Sequence, residues 1–251
     1  DDGNNATVVA ANTLTLSGTA IGAAGANAQI DTNVTTLNAT ASSGGIYIGE
    51  ANNLTLGTVN AGTNAVTIIA GGAIDDGAGA LVTAGNLTLQ GTSIGTGANP
   101  LNTQVSSLTA TSTTGDIVIS ETDGVELGTI NAANGSADVN IVAGGAITDG
   151  AGALVTAGNL TLQGTAIGTA GNALNTQVSS LTATSTSGNI VISETDGVQL
   201  GQIVANAGNG DITITAGGPI TDDGNNATLL VGSTLTLSGS SIGAAGANAQ
   251  I

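Results

Sequence analysis

The sequence predicts an all-β fold, a parallel β-solenoid in which short strands stack coil upon coil along one axis. Three observations lead there. A long repeat runs through the whole chain, the apolar residues alternate over short runs, and the side chains are too small to fill a wide globular core. The repeat is read directly. "AGALVTAGNLTLQGT" at 78–92 returns at 151–165, "VSSLTATST" at 105–113 returns at 178–186, and "IVISETDGV" at 117–125 returns at 190–198, each offset by 73 residues. The opening block follows the same plan with drifted residues, "TLTLSGTAIG" at 13–22, "TTLNATASSGGIYIGE" at 35–50 and "VTIIAGGAIDDG" at 66–77. Repeats therefore run over 1–73, 74–146 and 147–219, with a partial fourth at 220–251. Fixed-period self-similarity of this kind marks stacked architectures.

The alternation comes next. Leu87 with Leu89, Ile117 with Ile119 and Val139 with Ile141 are spaced by two residues, the period of a strand with one face inward. Thr and Val enrichment suits strands, and Gly, Asn and Asp between the runs suit turns. No segment sustains a helical period, so crossover helices and a βαβ fold are excluded. An antiparallel sandwich would give no reason for so strict a repeat. Grouping the runs gives three coils of three short strands per repeat, with four smaller coils as the alternative because coil length varies. In the second repeat they lie at 81–83, 87–89 and 93–95, at 108–110, 117–119 and 125–127, and at 129–131, 139–141 and 146–148. One face is then expected to stack Leu14, Ile46, Val66, Leu87, Ile117, Val139, Leu160, Ile190, Ile212 and Leu235. Three coils would rise ~14 Å at the usual strand spacing. All 251 residues read as one continuous solenoid.

A longer period is superposed. Residues 222–251 match 1–30 at 23 of 30 positions, including "DDGNNAT" and "IGAAGANAQI", so a unit of 221 residues begins again at Asp222. Together with a start at Asp1 rather than Met, this leads to the expectation that the solenoid continues beyond both ends. The occupant there would be further repeats of one giant chain or stacked subunits. The chain's first partner is then itself, end to end.

Composition narrows the chemistry. Lys, Arg, His, Cys, Met, Trp and Phe are absent, Tyr47 is the single aromatic residue, and 17 acids give a net charge of −17. A nucleic-acid binder needs cations for phosphate. Disulfides, thiolate or imidazole metal sites, His- or Cys-based triads and lysine Schiff bases are excluded by residue type. Charged residues make up only 7%, and the regular Val, Ile and Leu clusters argue against disorder. No apolar run reaches the ~18 residues of a membrane span.

The string "LTLQGTSIG…VSSLTATSTTGDIVIS…VNIVAGGAITD" resembles the repetitive part of filamentous-haemagglutinin-like proteins, which are very large bacterial surface or secreted proteins. The resemblance covers essentially the whole chain and rests on repeat style. It implies a right-handed parallel β-helix shaft, extracellular or cell-surface display, and a part in adhesion or biofilm formation. That family's N-terminal secretion domain is not in this sequence.

Candidate sites are few. The acid pairs Asp75–Asp76 and Asp222–Asp223 are candidates for Ca²⁺, which prefers carboxylate and carbonyl oxygen; a glycine-assisted turn is the competing reading, since the third repeat keeps Asp149 alone. "SETDG" sets Glu121 two residues from Asp123, and Glu194 two from Asp196. Two side chains at that spacing share one strand face and could bridge a cation; a solvated turn is the alternative. Glu50 holds the matching place in the first repeat, with Asn52 in place of the second acid. Beyond Ca²⁺, no cofactor is called for. Tyr47, Val118 and Val191 hold one position in three successive repeats, in "IYI", "IVI" and "IVI". They are apolar where the neighbouring outward residues are polar, so they are candidates for lateral contact between parallel shafts; a loop folded over each is the alternative.

Catalysis is not expected. Two carboxylates can hydrolyse a glycoside, but a unique active site should break the repeat, and these acids follow it. The function read from the sequence is a non-catalytic structural shaft of an extracellular fibre or bacterial surface adhesin. The alternative is a β-helix module whose wall binds glycans or cations.

Overall fold

The computed structural model describes residues 8–25, 28–224 and 230–243. Over these the chain is all-β, with parallel strands stacked as a β-solenoid of about 11 turns. The alternation expected from the sequence sets which side chains turn inward. In Val66–Ala70 the side chains of Val66 and Ile68 are buried while Thr67 and Ile69 face outward. The core is a narrow column of aliphatic ladders. Ile46, Val66, Leu87, Leu108 and Leu127 stack in one. Ile74, Ile94, Ile117, Val139, Leu160, Leu181 and Leu200 stack in a second. All of these are essentially inaccessible to solvent, and each such side chain contributes roughly 1.5–3 kcal/mol. The column is filled by Ile, Leu, Val and Ala side chains.

Each turn has two sides. One is a straight five-residue strand such as Ile46–Glu50 or Val139–Ala143. The other is longer and bent. In Leu54–Asn60, Val125–Ala132 and Val198–Ala205 the bend is a bulge at Gly57, Gly128 and Gly201, where the register to the turn beneath slips. A bulge of this kind turns a strand by adding residues opposite a regular partner. A Cβ on Gly128 would press against Thr109 Oγ1 at 2.5 Å, so any larger residue displaces that side chain.

The sides of the second repeat run 87–91, 94–105, 108–112, 117–121, 125–132, 139–143 and 147–157. Seven sides at two per turn make three and a half turns. The odd number arises where two straight strands follow each other, at 108–112 and 117–121. Between them the chain makes a tight corner, closed by the Ser112 hydroxyl donating to the Gly115 carbonyl. Ser185 does the same to Gly188 at 2.6 Å in the third repeat. Straight and bent sides thereby exchange places once per repeat.

This corrects the expected stacking. Ile46–Val66–Leu87, Ile117–Val139–Leu160 and Ile190–Ile212–Leu235 do stack as three groups. They are not one face. Leu14 pairs with Leu37, and Leu87 with Leu108 rather than Ile117. Ile190 stacks between Ile167 and Ile212, whereas the Ile117 ladder runs on through Leu181 and Leu200. Successive repeats thus present the same sequence on opposite sides of the shaft. At the standard strand spacing a repeat rises ~17 Å, not ~14 Å.

Candidate functional site: buried carboxylates and corner grooves

The acids singled out by the repeat lie at its corners. The straight strand Ile117–Glu121 sits on the segment 101–103 of the turn beneath, and the ladder ends where Thr103 pairs with Glu121. Above Val105 the chain has already turned away. The Glu121 carboxylate replaces the missing carbonyl, accepting the Val105 N–H at 3.1 and 3.2 Å, the Thr103 hydroxyl at 2.7 Å and the Asp123 N–H at 3.3 Å. Glu194 repeats this with Thr176 at 2.6 Å, Val178 at 3.2 Å and Asp196 at 3.4 Å. Glu50 does so with Thr32 at 2.7 Å, Val34 at 3.0 Å and Asn52 at 3.1 Å. The three carboxylates are only 3–4% exposed. Burial pushes the Glu121 and Glu194 carboxyls above the ordinary glutamate value, against the lowering pull of their hydroxyl and backbone N–H donors.

The candidate calcium ligands take the following places. Asp75 and Asp76 are neighbours on one strand and point to opposite faces, Asp76 inward and buried, Asp75 half-buried. Asp76 accepts both the backbone N–H and the amide Nδ2 of Asn102, at 3.1 and 3.0 Å. Asp149 holds Asn175 in the same way, at 3.1 and 2.9 Å. Asp222 takes the equivalent place above Leu200; it is buried and its Oδ1 has no partner. Asp223 follows at the next corner. Glu121 with Asp123 and Glu194 with Asp196 do lie together, but the glutamate oxygens are occupied by protein donors. Among the described residues no group of three or more acids could hold a metal.

Other acids also serve the corners. Asp116 Oδ1 accepts the Asp138 N–H at 3.0 Å, and Asp138 Oδ1 accepts the Asn159 N–H at 3.1 Å and its side-chain amide at 2.8 Å. Asp211 accepts the Thr234 N–H at 3.1 Å. Besides Asp222, buried oxygens without partners occur among the described residues at Asp31 Oδ2 and Asn140 Oδ1.

Among the lateral-contact residues, the two valines are corrected. Val118 and Val191 are 6% and 8% exposed, and Tyr47 is half-buried. Alternation does point them outward, but a loop of the turn beneath leaves and rejoins the stack beside each one. Val118 donates its N–H to the Ile94 carbonyl at 2.7 Å, and Ile119 pairs with Leu101, so residues 95–100 flank it. Val191 has Ile167 and Leu174 in the same places, and Tyr47 has Ile21 and Ile30.

The same corners carry three equivalent open grooves. One is lined by Asn33, Val34, Asn52 and Asn53, with a volume of about 420 Å³. A second is lined by Gln104, Val105, Ser106 and Asp123, at about 530 Å³. The third is lined by Gln177, Val178, Ser179 and Asp196, at about 510 Å³. Each lies over one of the Thr–Val–Glu contacts, without an aromatic platform; the Asn33 and Gln177 grooves are mainly polar, and the Gln104 groove is mixed. Sequence reasoning missed the grooves and the contacts below them. The signal was a Thr-x-Val 18 residues before each glutamate, at Thr32, Thr103 and Thr176. No helix among the described residues is long and apolar enough to cross a membrane. No family model, curated protein or solved structure matches the chain.

Proposed function

We propose that the chain is a non-catalytic structural shaft, a stretch of an extracellular fibre or of a large bacterial surface adhesin. One observation supports this most. The acids that could have done chemistry recur with the repeat and are hydrogen-bonded into its corners, so they serve the stacking of turns. A stacked repeat of this kind lengthens by simple addition, each turn contacting only its neighbours. The return of the opening sequence at 222–251 fits a shaft continued by further units or by copies of itself. Display outside a bacterial cell and a part in adhesion rest on the resemblance to filamentous-haemagglutinin-like repeats.

The three corner grooves favour a second reading, a shaft wall that binds glycans through Gln, Asn, Ser and Asp. Two measurements separate the readings. Electron microscopy or small-angle scattering of the chain should give a rod, with 11 turns spanning ~50 Å. A glycan array should stay blank. A compact globule overturns the shaft. Saccharide binding lost in Gln104→Ala and Gln177→Ala selects the second reading.

A further inference from the structure

The chain contains no cation, yet it places a carboxylate in a nearly solvent-free position at the same corner of three successive repeats. For Glu121 and Glu194 the surroundings are simple. The strands packed against Ile117–Glu121 are Leu101–Ser112 and Val139–Ala143, and neither carries a titratable side chain. The strands against Ile190–Glu194 are Leu174–Ser185 and Ile212–Ala216, again with none. Among the described residues the one titratable neighbour of each glutamate is an acid, Asp123 or Asp196, two residues on. Nothing of opposite charge compensates the buried charge, and one like charge opposes it.

The contact itself reads in either direction. A threonine hydroxyl can donate to a carboxylate or accept from a carboxylic acid. At 2.7 Å for Thr103–Glu121 and 2.6 Å for Thr176–Glu194, a proton can sit on either oxygen without movement of the heavy atoms. The protonated glutamate still accepts the Val105 or Val178 N–H through its remaining lone pairs.

We propose that these glutamate corners are proton-operated locks: Glu121 and Glu194 take up a proton in place, and the shaft is held more firmly in mild acid than at neutral pH. The sign follows from linkage. A carboxyl whose value is raised on folding binds more protons in the folded than in the unfolded chain between the two values. Stability is therefore fully present below the unfolded value and falls as pH rises through the folded one. This is the reverse of ordinary acid denaturation, in which paired carboxylates lose their partners. Burial as the leading cause of the upward shift in both residues agrees with the geometry.

The test uses the full chain in a salt concentration high enough to screen surface charge. Urea midpoints are measured from about pH 4 to about pH 8, for the native sequence and for the double variant Glu121→Gln, Glu194→Gln. Gln keeps one acceptor for the backbone N–H groups and donates to the threonine. The native midpoint should fall as pH rises above the glutamate range, and the variant should lose most of that slope. A variant with the full native slope would place the effect in surface repulsion and overturn the proposal. So would a native midpoint that rises with pH. If the variant does not fold, carboxyl-labelled glutamate NMR of the native chain decides. There are four glutamates, and Glu126 is the exposed one. The Glu121 and Glu194 signals should move at higher pH than a free glutamate side chain; movement of both in the ordinary glutamate range would refute the locks.

Discussion

Replacing Val118 by Asp separates a covered position from an exposed one. Val118 is 6% exposed, between the strand 139–143 above and the 95–100 loop beside it. Removing its burial costs roughly 1.5–3 kcal/mol. The new carboxylate would have no cation within the chain, and an unpaired buried charge adds about 3 kcal/mol or more. Val118→Asp should thus destabilise by at least ~4 kcal/mol, a large part of the ~5–15 kcal/mol that holds an ordinary domain. Val142→Asp is the control, since Val142 is an outward apolar residue that is 39% exposed; its cost should stay below ~1 kcal/mol. Urea unfolding followed by circular dichroism gives the global figure. Because solenoids open locally, amide exchange across 94–121 should also accelerate in the first variant and not in the second. Equal, small effects would mean that Val118 is open to solvent and that the loop does not cover it.

Gly95→Ala and Gly168→Ala should each cost more than ~1 kcal/mol, since φ is +63° and +61° and an added Cβ would strike the Val118 or Val191 carbonyl; thermal melts check this. Asn102→Leu should cost about 2–3 kcal/mol by stripping a donor from the buried Asp76 carboxylate, with Asn175→Leu matching it at Asp149. Raising ionic strength should raise the melting midpoint, because every charge has the same sign. Ca²⁺ should add nothing beyond its ionic strength, and EDTA should leave the midpoint in place; a specific rise with Ca²⁺ would reinstate the acid pairs as ligands.

What could be read in the sequence was local. Leu87–Leu89 and Ile117–Ile119 announce strands through their spacing, and the absence of large side chains announces a narrow core. The order of stacking could not be read in the same way. The eye aligns Leu87 with Leu160 because they share a sequence, but stacking follows the length of a turn. Leu87 meets Leu108 at 21 residues and Leu160 meets Leu181 at 21, and 73 is not a whole multiple of that. The protein partners of the corner acids were hidden for a related reason. Glu121 is adjacent in sequence to turn residues, so it looks solvated, while its partners Thr103 and Val105 are 18 and 16 residues back on the turn beneath. Val118 looked exposed by alternation alone, because alternation does not register a loop that leaves the sheet beside it.

The exchange of sides at every repeat is the central structural claim, and spin-label distances test it most directly. Thr88 and Thr109 lie in register on adjacent turns, while Thr88 and Thr161 hold the same place in successive repeats. Labels on Thr88→Cys and Thr109→Cys should be in close contact, with backbones ~5 Å apart. Labels on Thr88→Cys and Thr161→Cys should point away from each other on opposite sides, separated by ~17 Å along the axis plus the ~10 Å or more between facing sheets. A Thr88–Thr161 separation of ~14 Å with both labels on one side would mean whole turns per repeat and would contradict the account.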